Sequence, residues 1–87
     1  MFYVYVLKSF VNNRYYFGYT NDINLRLRKH NHGDVRSTRE FRPWMLLGFE
    51  VYEKRNDVRW REHELKNNGA KRKGLINSLE GNIKQIA

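Results

Sequence analysis

The chain has 87 residues, with 17 lysines and arginines against 9 acidic residues, no cysteine, and a formal net charge of +8 at pH 7. The lack of cysteine excludes a disulfide framework and a thiolate metal site, and no apolar run approaches the roughly 18 residues of a membrane span. The basic excess, with an isoelectric point near 10.1, favours a polyanionic partner, either nucleic acid or an acidic membrane surface.

Apolar residues at 40% and aromatics at 15% suffice for one packed core and are too many for a disordered chain. A single domain over 1–87 is expected, with its core over about 2–80 and a tail over 81–87. Lys8 interrupts the N-terminal apolar run and no small-residue cleavage site follows. No signal peptide is read, and a cytoplasmic protein without a membrane partner is expected.

Phe2 to Leu7 is rich in β-branched and aromatic residues and reads as a strand. Phe2, Val4 and Val6 fall on one face and Tyr3, Tyr5 and Leu7 on the other. A strand apolar on both faces belongs in the middle of a sheet. Asn12-Asn13 offers a turn, and Arg14 to Thr20 is the returning strand. With both asparagines at the centre of the turn, position 5 faces position 20, so Tyr5, Tyr16, Gly18 and Thr20 line one surface. A glycine inside a strand marks a close approach by a ligand or another backbone.

Asn21 or Asp22 caps a helix running to about Asn31, with Gly33 just beyond it. Ile23 and Leu27 form its apolar stripe, and Asp22, Arg26 and His30 stand together on an adjacent face. Residues 32–43 form a basic loop carrying Arg36, Arg39 and Arg42 and ending at Pro43. Trp44 to Tyr52 reads as the third strand. Asn56 or Asp57 caps a second helix to about Asn68, terminated by Gly69, with Val58, Arg61, Glu62 and Leu65 on its inner face. A third helix spans about Lys71 to Leu79, carries Leu75, Ile76 and Leu79, and is stopped by Gly81. The last residues add a turn through Ile83 and Ile86 or fray. The order ββαβαα specifies an α+β fold, a small three-stranded antiparallel sheet flanked by three helices.

Tyr5 and Tyr16 project from paired strands toward a common point. Strand tyrosines commonly just pack their rings. A free phenol, with a pKa of about 10, is a poor base at pH 7 and needs a cation such as Arg26 or a metal ion to favour phenolate. Arg26 sits one helix turn after the Gly18 strand, where it could stabilise charge developing on a phosphate. His30 shares its face, although a histidine at such a place is commonly a surface residue. Glu62 interrupts an apolar stripe where a structural helix would carry an aliphatic side chain. It reads either as an ion-pair partner of Arg59 or Lys66, or as the single carboxylate ligand of a Mg²⁺-like ion.

Tyr3-Val4-Tyr5, Tyr16-Phe17-Gly18, Tyr19-Thr20-Asn21-Asp22, Arg26-Leu27, His30-Asn31, Arg42-Pro43-Trp44 and Arg61-Glu62 stand in the order and spacing of GIY-YIG nuclease domains. The chain resembles that superfamily over residues 2 to about 75. It is most similar to the small stand-alone bacterial members, and is also similar to the N-terminal incision domain of the excision-repair nuclease. The resemblance implies a divalent-metal-dependent endonuclease acting on DNA, with repair or recombination as its setting. It implies Tyr5 and Tyr16 near the attacking water, Arg26 on the scissile phosphate, His30 beside it, and Glu62 on one Mg²⁺ or Mn²⁺ ion. Nucleic acid is the implied partner, DNA in preference to RNA.

The chain departs from the family pattern in places. Tyr3 and Phe17 replace the glycine and isoleucine of the motif's name at packing positions, and Tyr19 stands where the repair nuclease has lysine. The C-terminal asparagine of some members has no clear counterpart. Arg36, Arg39 and Arg42 are expected to contact phosphates. The alternative reading is a non-catalytic nucleic-acid-binding module in which Tyr3, Tyr5, Tyr15 and Phe17 stack bases. A third is a retired nuclease fold used for protein contacts.

Overall fold

The computed structural model describes residues 1–86, with side chains described through residue 81. In chain order the elements are β1 (Phe2–Ser9), β2 (Tyr15–Thr20), α1 (Ile23–His32), a short 3₁₀ turn (Arg39–Phe41), β3 (Trp44–Tyr52), α2 (Arg55–Asn67) and α3 (Gly69–Ile86). The strands form one antiparallel sheet in the order β2-β1-β3. The doubly apolar strand β1 is therefore central, and each face carries its own core. Val4, Val6 and Phe17 pack with Leu47, Val58 and Leu65 on the side of α2 and α3. Tyr5, Leu7 and Trp44 pack with Leu27 of α1 on the other.

The β1–β2 register differs from the expected one by two residues: Tyr5 pairs with Gly18, not with Thr20. The turn is longer than the asparagine pair suggested, and Ser9 is the reason. Its amide donates to the Arg14 carbonyl (2.8 Å), its carbonyl accepts from Asn13 (3.1 Å), and its hydroxyl donates to the Phe41 carbonyl (2.6 Å). Of the two asparagines only Asn13 takes positive φ, at 60°. A slip of two keeps every side chain on its own face, so Tyr5, Tyr16, Gly18 and Thr20 still share one.

Helix α1 starts and ends as its sequence dictates. Asp22 accepts from the Leu25 amide, and Gly33 closes the helix in the left-handed conformation at φ 92°. The α2 boundaries do not follow the expectation. The helix opens at Arg55 with Lys54 at the cap position, ahead of Asn56 and Asp57. Asp57 lies inside the first turn, where its charge suits the helix dipole. Gly69 begins α3 and does not simply end α2. Asn68 makes the break: its backbone is extended, and its side chain accepts from the Lys71 amide at 3.1 Å, capping the next helix. Arg72 donates to the terminal α2 carbonyls of Leu65 and Lys66, both at 2.9 Å.

Neither Gly74 nor Gly81 stops α3, which continues to Ile86. Where a turn through Ile83 and Ile86 or fraying was expected, the backbone is helix, and the side chains of both residues lie outside those described. Gly48 in β3 leaves room for Leu79 of α3, and Glu80 accepts from Lys8 (3.0 Å) and Tyr15 (2.5 Å), fixing that helix to the hairpin. Among the described residues no helix is long and apolar enough to cross a membrane.

Candidate active site

With α1 on one face of the sheet and α2 on the other, the edge strand β2 is left between two helices. A cleft of about 380 Å³ opens there, walled by Tyr5, Tyr16, Thr20, Arg26, Arg55 and Glu62. Tyr5 comes from the central strand and reaches the edge by passing over Gly18. A Cβ at Gly18 would stand 2.6 Å from the Tyr5 hydroxyl oxygen and 2.7 Å from Cζ. The close approach signalled by that strand glycine is thus the chain's own tyrosine ring.

Tyr5 is only 2% exposed, and its hydroxyl is held on two sides. Arg26 Nε donates to it at 3.3 Å, and His30 Nε2 lies 2.9 Å away. His30 Nδ1 is 2.7 Å from Thr38 Oγ1, whose own proton reaches the Val35 carbonyl at 3.3 Å. Arg26 can only donate and the Val35 carbonyl can only accept. Donor–acceptor balance then assigns the direction: Arg26 to Tyr5, Tyr5 to Nε2, Nδ1–H to Thr38, Thr38 to Val35. This chain requires a neutral imidazole. Burial, with the Arg26 charge beside it, pushes the His30 pKa down to about 4.

Two expectations about the site change as a result. His30 is fully buried behind Tyr5, not at the surface and not on the cleft wall. Tyr5 is not an activated phenolate either. Burial pushes its pKa up to about 12, outweighing the hydrogen bond from Arg26. Tyr5 is a neutral donor held in one orientation.

Tyr16 is half-buried, its ring 6.3 Å from the Tyr5 ring and 4.9 Å edge-on from His30. After Tyr5, Tyr16 also helps to keep the Arg26 guanidinium charged. Across the cleft, Glu62 has a side chain 18% exposed and pairs with Lys66 at 3.4 Å. The ion-pair reading and the cleft reading of Glu62 therefore hold together. Among the described residues it is the only carboxylate on the cleft wall, and there is no cluster of three or more His, Cys, Asp or Glu side chains suited to a metal cage. A lone, partly exposed carboxylate with a long, exchangeable partner fits a hard Mg²⁺-type ion that completes its shell with water and phosphate.

The loop arginines lie elsewhere. Arg39 Nε donates to the Gly33 carbonyl (2.8 Å) and Arg42 Nη1 to the His32 carbonyl (3.0 Å), tying the loop to the end of α1, while Arg36 is exposed. None of the three lines the cleft. Other motif residues hold the scaffold. Asn31 brackets the Trp44 backbone with bonds of 3.0 and 2.6 Å, and Trp44 Nε1 donates to the Thr38 carbonyl at 2.9 Å. Arg61 bridges Glu50 and Glu64, each at 2.8 Å, fastening α2 to β3.

Sequence reasoning did not single out Arg55 and Thr38. Arg55 lies two helical turns before Glu62, a spacing that puts both on one face and could have flagged it. Thr38 sits in an irregular loop and offers no such signal.

The model of the GIY-YIG catalytic domain matches residues 1–77, nearly the full span of elements that build this cleft. The chain belongs to the GIY-YIG family. Within that family it is similar to a UPF0213 protein of the archaeon Haloquadratum walsbyi, 38% identical over 65 residues that cover 74% of this chain and 72% of the relative. A UPF0213 protein of Staphylococcus aureus is 37% identical over 65 residues, covering 74% and 78%. The solution NMR structure of the Bacillus halodurans UPF0213 protein matches this GIY-YIG fold with a TM-score of 0.57 at 30% identity, covering 93% of this chain and 87% of that one.

Proposed function

We propose that the protein is a divalent-metal-dependent endonuclease that hydrolyses phosphodiester bonds, with DNA as its preferred substrate. The observation that carries this reading is the convergence of Tyr5, Tyr16, Arg26 and Glu62, from β1, β2, α1 and α2, on one cleft. A phosphodiester entering there meets Arg26 and Arg55, whose N–H groups suit the equatorial oxygens of a pentavalent phosphate. Tyr16 is the phenol toward which an attacking water is oriented. Tyr5, neutral and with its one proton on His30 Nε2, anchors the Arg26 side chain, and its remaining lone pair can accept a hydrogen bond from that water. Glu62 would hold the metal ion, and such an ion, when bound, neutralises charge on the phosphate and acidifies water.

The sheet is a poor platform for stacking bases, which weighs against the binding-module reading. Tyr5 and Phe17 are buried, Tyr15 is bonded to Glu80, and helices pack on both faces. The test is cleavage of branched, nicked and single-stranded DNA and RNA with Mg²⁺, Mn²⁺ or chelator. Arg26→Ala should slow cleavage by about 10²-fold or more, the scale of losing one transition-state donor, while binding falls far less. Wild-type protein that cuts none of these substrates, or a variant that cuts at the wild-type rate, would overturn the proposal.

A further inference from the structure

The cleft does not end at Tyr16. A second groove of about 490 Å³ shares that residue and is lined by Arg14, Tyr15, Phe17, Lys66, Arg72 and Ile76. The two openings are consecutive along both walls. Along the hairpin the cleft takes Tyr16, Gly18, Tyr19 and Thr20, and the groove takes Arg14, at the entry to β2, with Tyr15, Tyr16 and Phe17. On the helical side the cleft takes Arg55 and Glu62, and the groove takes Lys66 and then the start of α3. Together they form one trench running from the catalytic residues toward the β1–β2 turn. Six residue steps from Thr20 to Arg14 give it a length of about 20 Å at a strand's rise per residue. That is room for up to about six nucleotides at the 3.4 Å spacing of one stacked strand.

The groove's charges are set up to receive an anion. Arg14 lies with its guanidinium carbon 4.7 Å from the Phe41 ring centroid. That contact occupies the face of the guanidinium and leaves in-plane N–H donors available. Arg72 is held through Nη1 by the Leu65 and Lys66 carbonyls, which spend none of its charge on a carboxylate. Among the described residues neither arginine takes part in an ion pair with an acidic side chain. Lys66 stands at the junction, 3.4 Å from Glu62 and 5.9 Å from the Tyr16 ring centroid. The basic loop offers no such track, since none of Arg36, Arg39 and Arg42 lines the cleft or the groove.

We propose that this trench binds the sugar–phosphate backbone of one nucleic-acid strand as it leaves the scissile phosphate, with Lys66, Arg72 and Arg14 contacting its phosphates. The occupant is a single strand because Arg14 on the hairpin side and Lys66 and Arg72 on the helical side line the same groove and can converge on one backbone. This rests on the nuclease reading of the cleft, and the test separates the two. Binding is measured in chelator, where cleavage plays no part, by anisotropy of fluorescein-labelled single-stranded DNA and RNA of matched sequence across a salt series.

Arg14→Gln is expected to weaken binding at least 5-fold and to lower the salt slope by about 0.7, the share of one phosphate contact on a single strand. Arg36→Gln should bind as wild type. On titration of wild-type protein with the same oligonucleotide, backbone amide NMR shifts should concentrate at residues 14–17, 66 and 72, not at 36–42. This readout stands even if a variant fails to fold. Wild-type affinity in Arg14→Gln, a greater loss in Arg36→Gln, shifts confined to 36–42, no binding at all, or equal binding of poly-glutamate would each overturn the trench. Protein that binds through Arg14 yet never cuts would keep the trench and remove the nuclease. Cutting that is lost in Arg26→Ala, combined with binding indifferent to Arg14, would do the reverse.

Discussion

At Gly18 the space for one methyl group separates an assembled cleft from a disrupted one, because Tyr5 crosses the edge strand there. Gly18→Ala should displace the Tyr5 ring, break its bonds to Arg26 and His30, and cost about 1–3 kcal/mol as an overpacked site. Paired measurements of urea midpoint and cleavage check this, and wild-type values in both would contradict the geometry. His30 gives a pH signature. Its folded pKa, near 4, lies below its ordinary 6.5, so the unfolded chain binds the extra proton between those values. Stability from this group is complete above about pH 6.5 and falls as the pH drops toward 4, by up to about 3 kcal/mol. Urea midpoints should therefore decline from pH 7.5 to pH 5 in wild type and decline less in His30→Gln.

At the scale of elements, helix caps illustrate which local signals survive packing. Asp22 and Gly33 bound α1 as read, because the Asp22 side chain bonds the Leu25 amide and the left-handed Gly33 returns its own amide to the last turn, both local interactions. Between α2 and α3 the Asn68-Gly69 pair resembles a stop signal, yet Asn68 faces forward and caps α3. Asn68→Ala should cost about 1 kcal/mol, the usual scale of a lost N-cap. Gly69→Ala should be neutral or slightly stabilising, since Gly69 has no positive φ and its nearest neighbour, Arg72 Nη2, stands 3.4 Å from a built Cβ. Thermal melts of both variants decide the matter. A large loss in Gly69→Ala would restore glycine as the obligatory break.

Across the whole molecule, the proposed nuclease and the proposed trench assign catalysis and binding to different charges, and a pair of variants probes the catalytic set. Glu62→Gln is nearly isosteric and removes the anion proposed to hold the metal. It should slow cleavage about 10²-fold or more and raise the Mg²⁺ concentration needed for half-maximal activity. Arg26→Ala should slow cleavage without moving that requirement. A metal titration of both variants beside wild type is the measurement, and an unmoved requirement in Glu62→Gln would place the ion on other residues.

Much of this arrangement was written in the chain itself. Apolar residues on both of its faces put β1 at the centre, and the two-residue period kept Tyr5, Tyr16 and Gly18 on one face although the register differs by two from the expected one. The helical period put Arg26 and His30 on one face of α1 and marked Glu62 as anomalous on α2. These are properties of neighbours within one element, and sequence spacing encodes them directly. The depth of each residue was set by contacts between elements. Ser9 fixed the hairpin register by bonding to Phe41, far along the chain. His30 became a buried relay because Thr38 came to lie against it, and Tyr5 became a held donor because the packing that buries it also raises its pKa. Arg39 and Arg42 turned to cap α1, and Arg14, Lys66 and Arg72 came to line the groove beside the cleft. Solvation and long-range pairing are sums over residues distant in sequence, so only the folded chain could decide them.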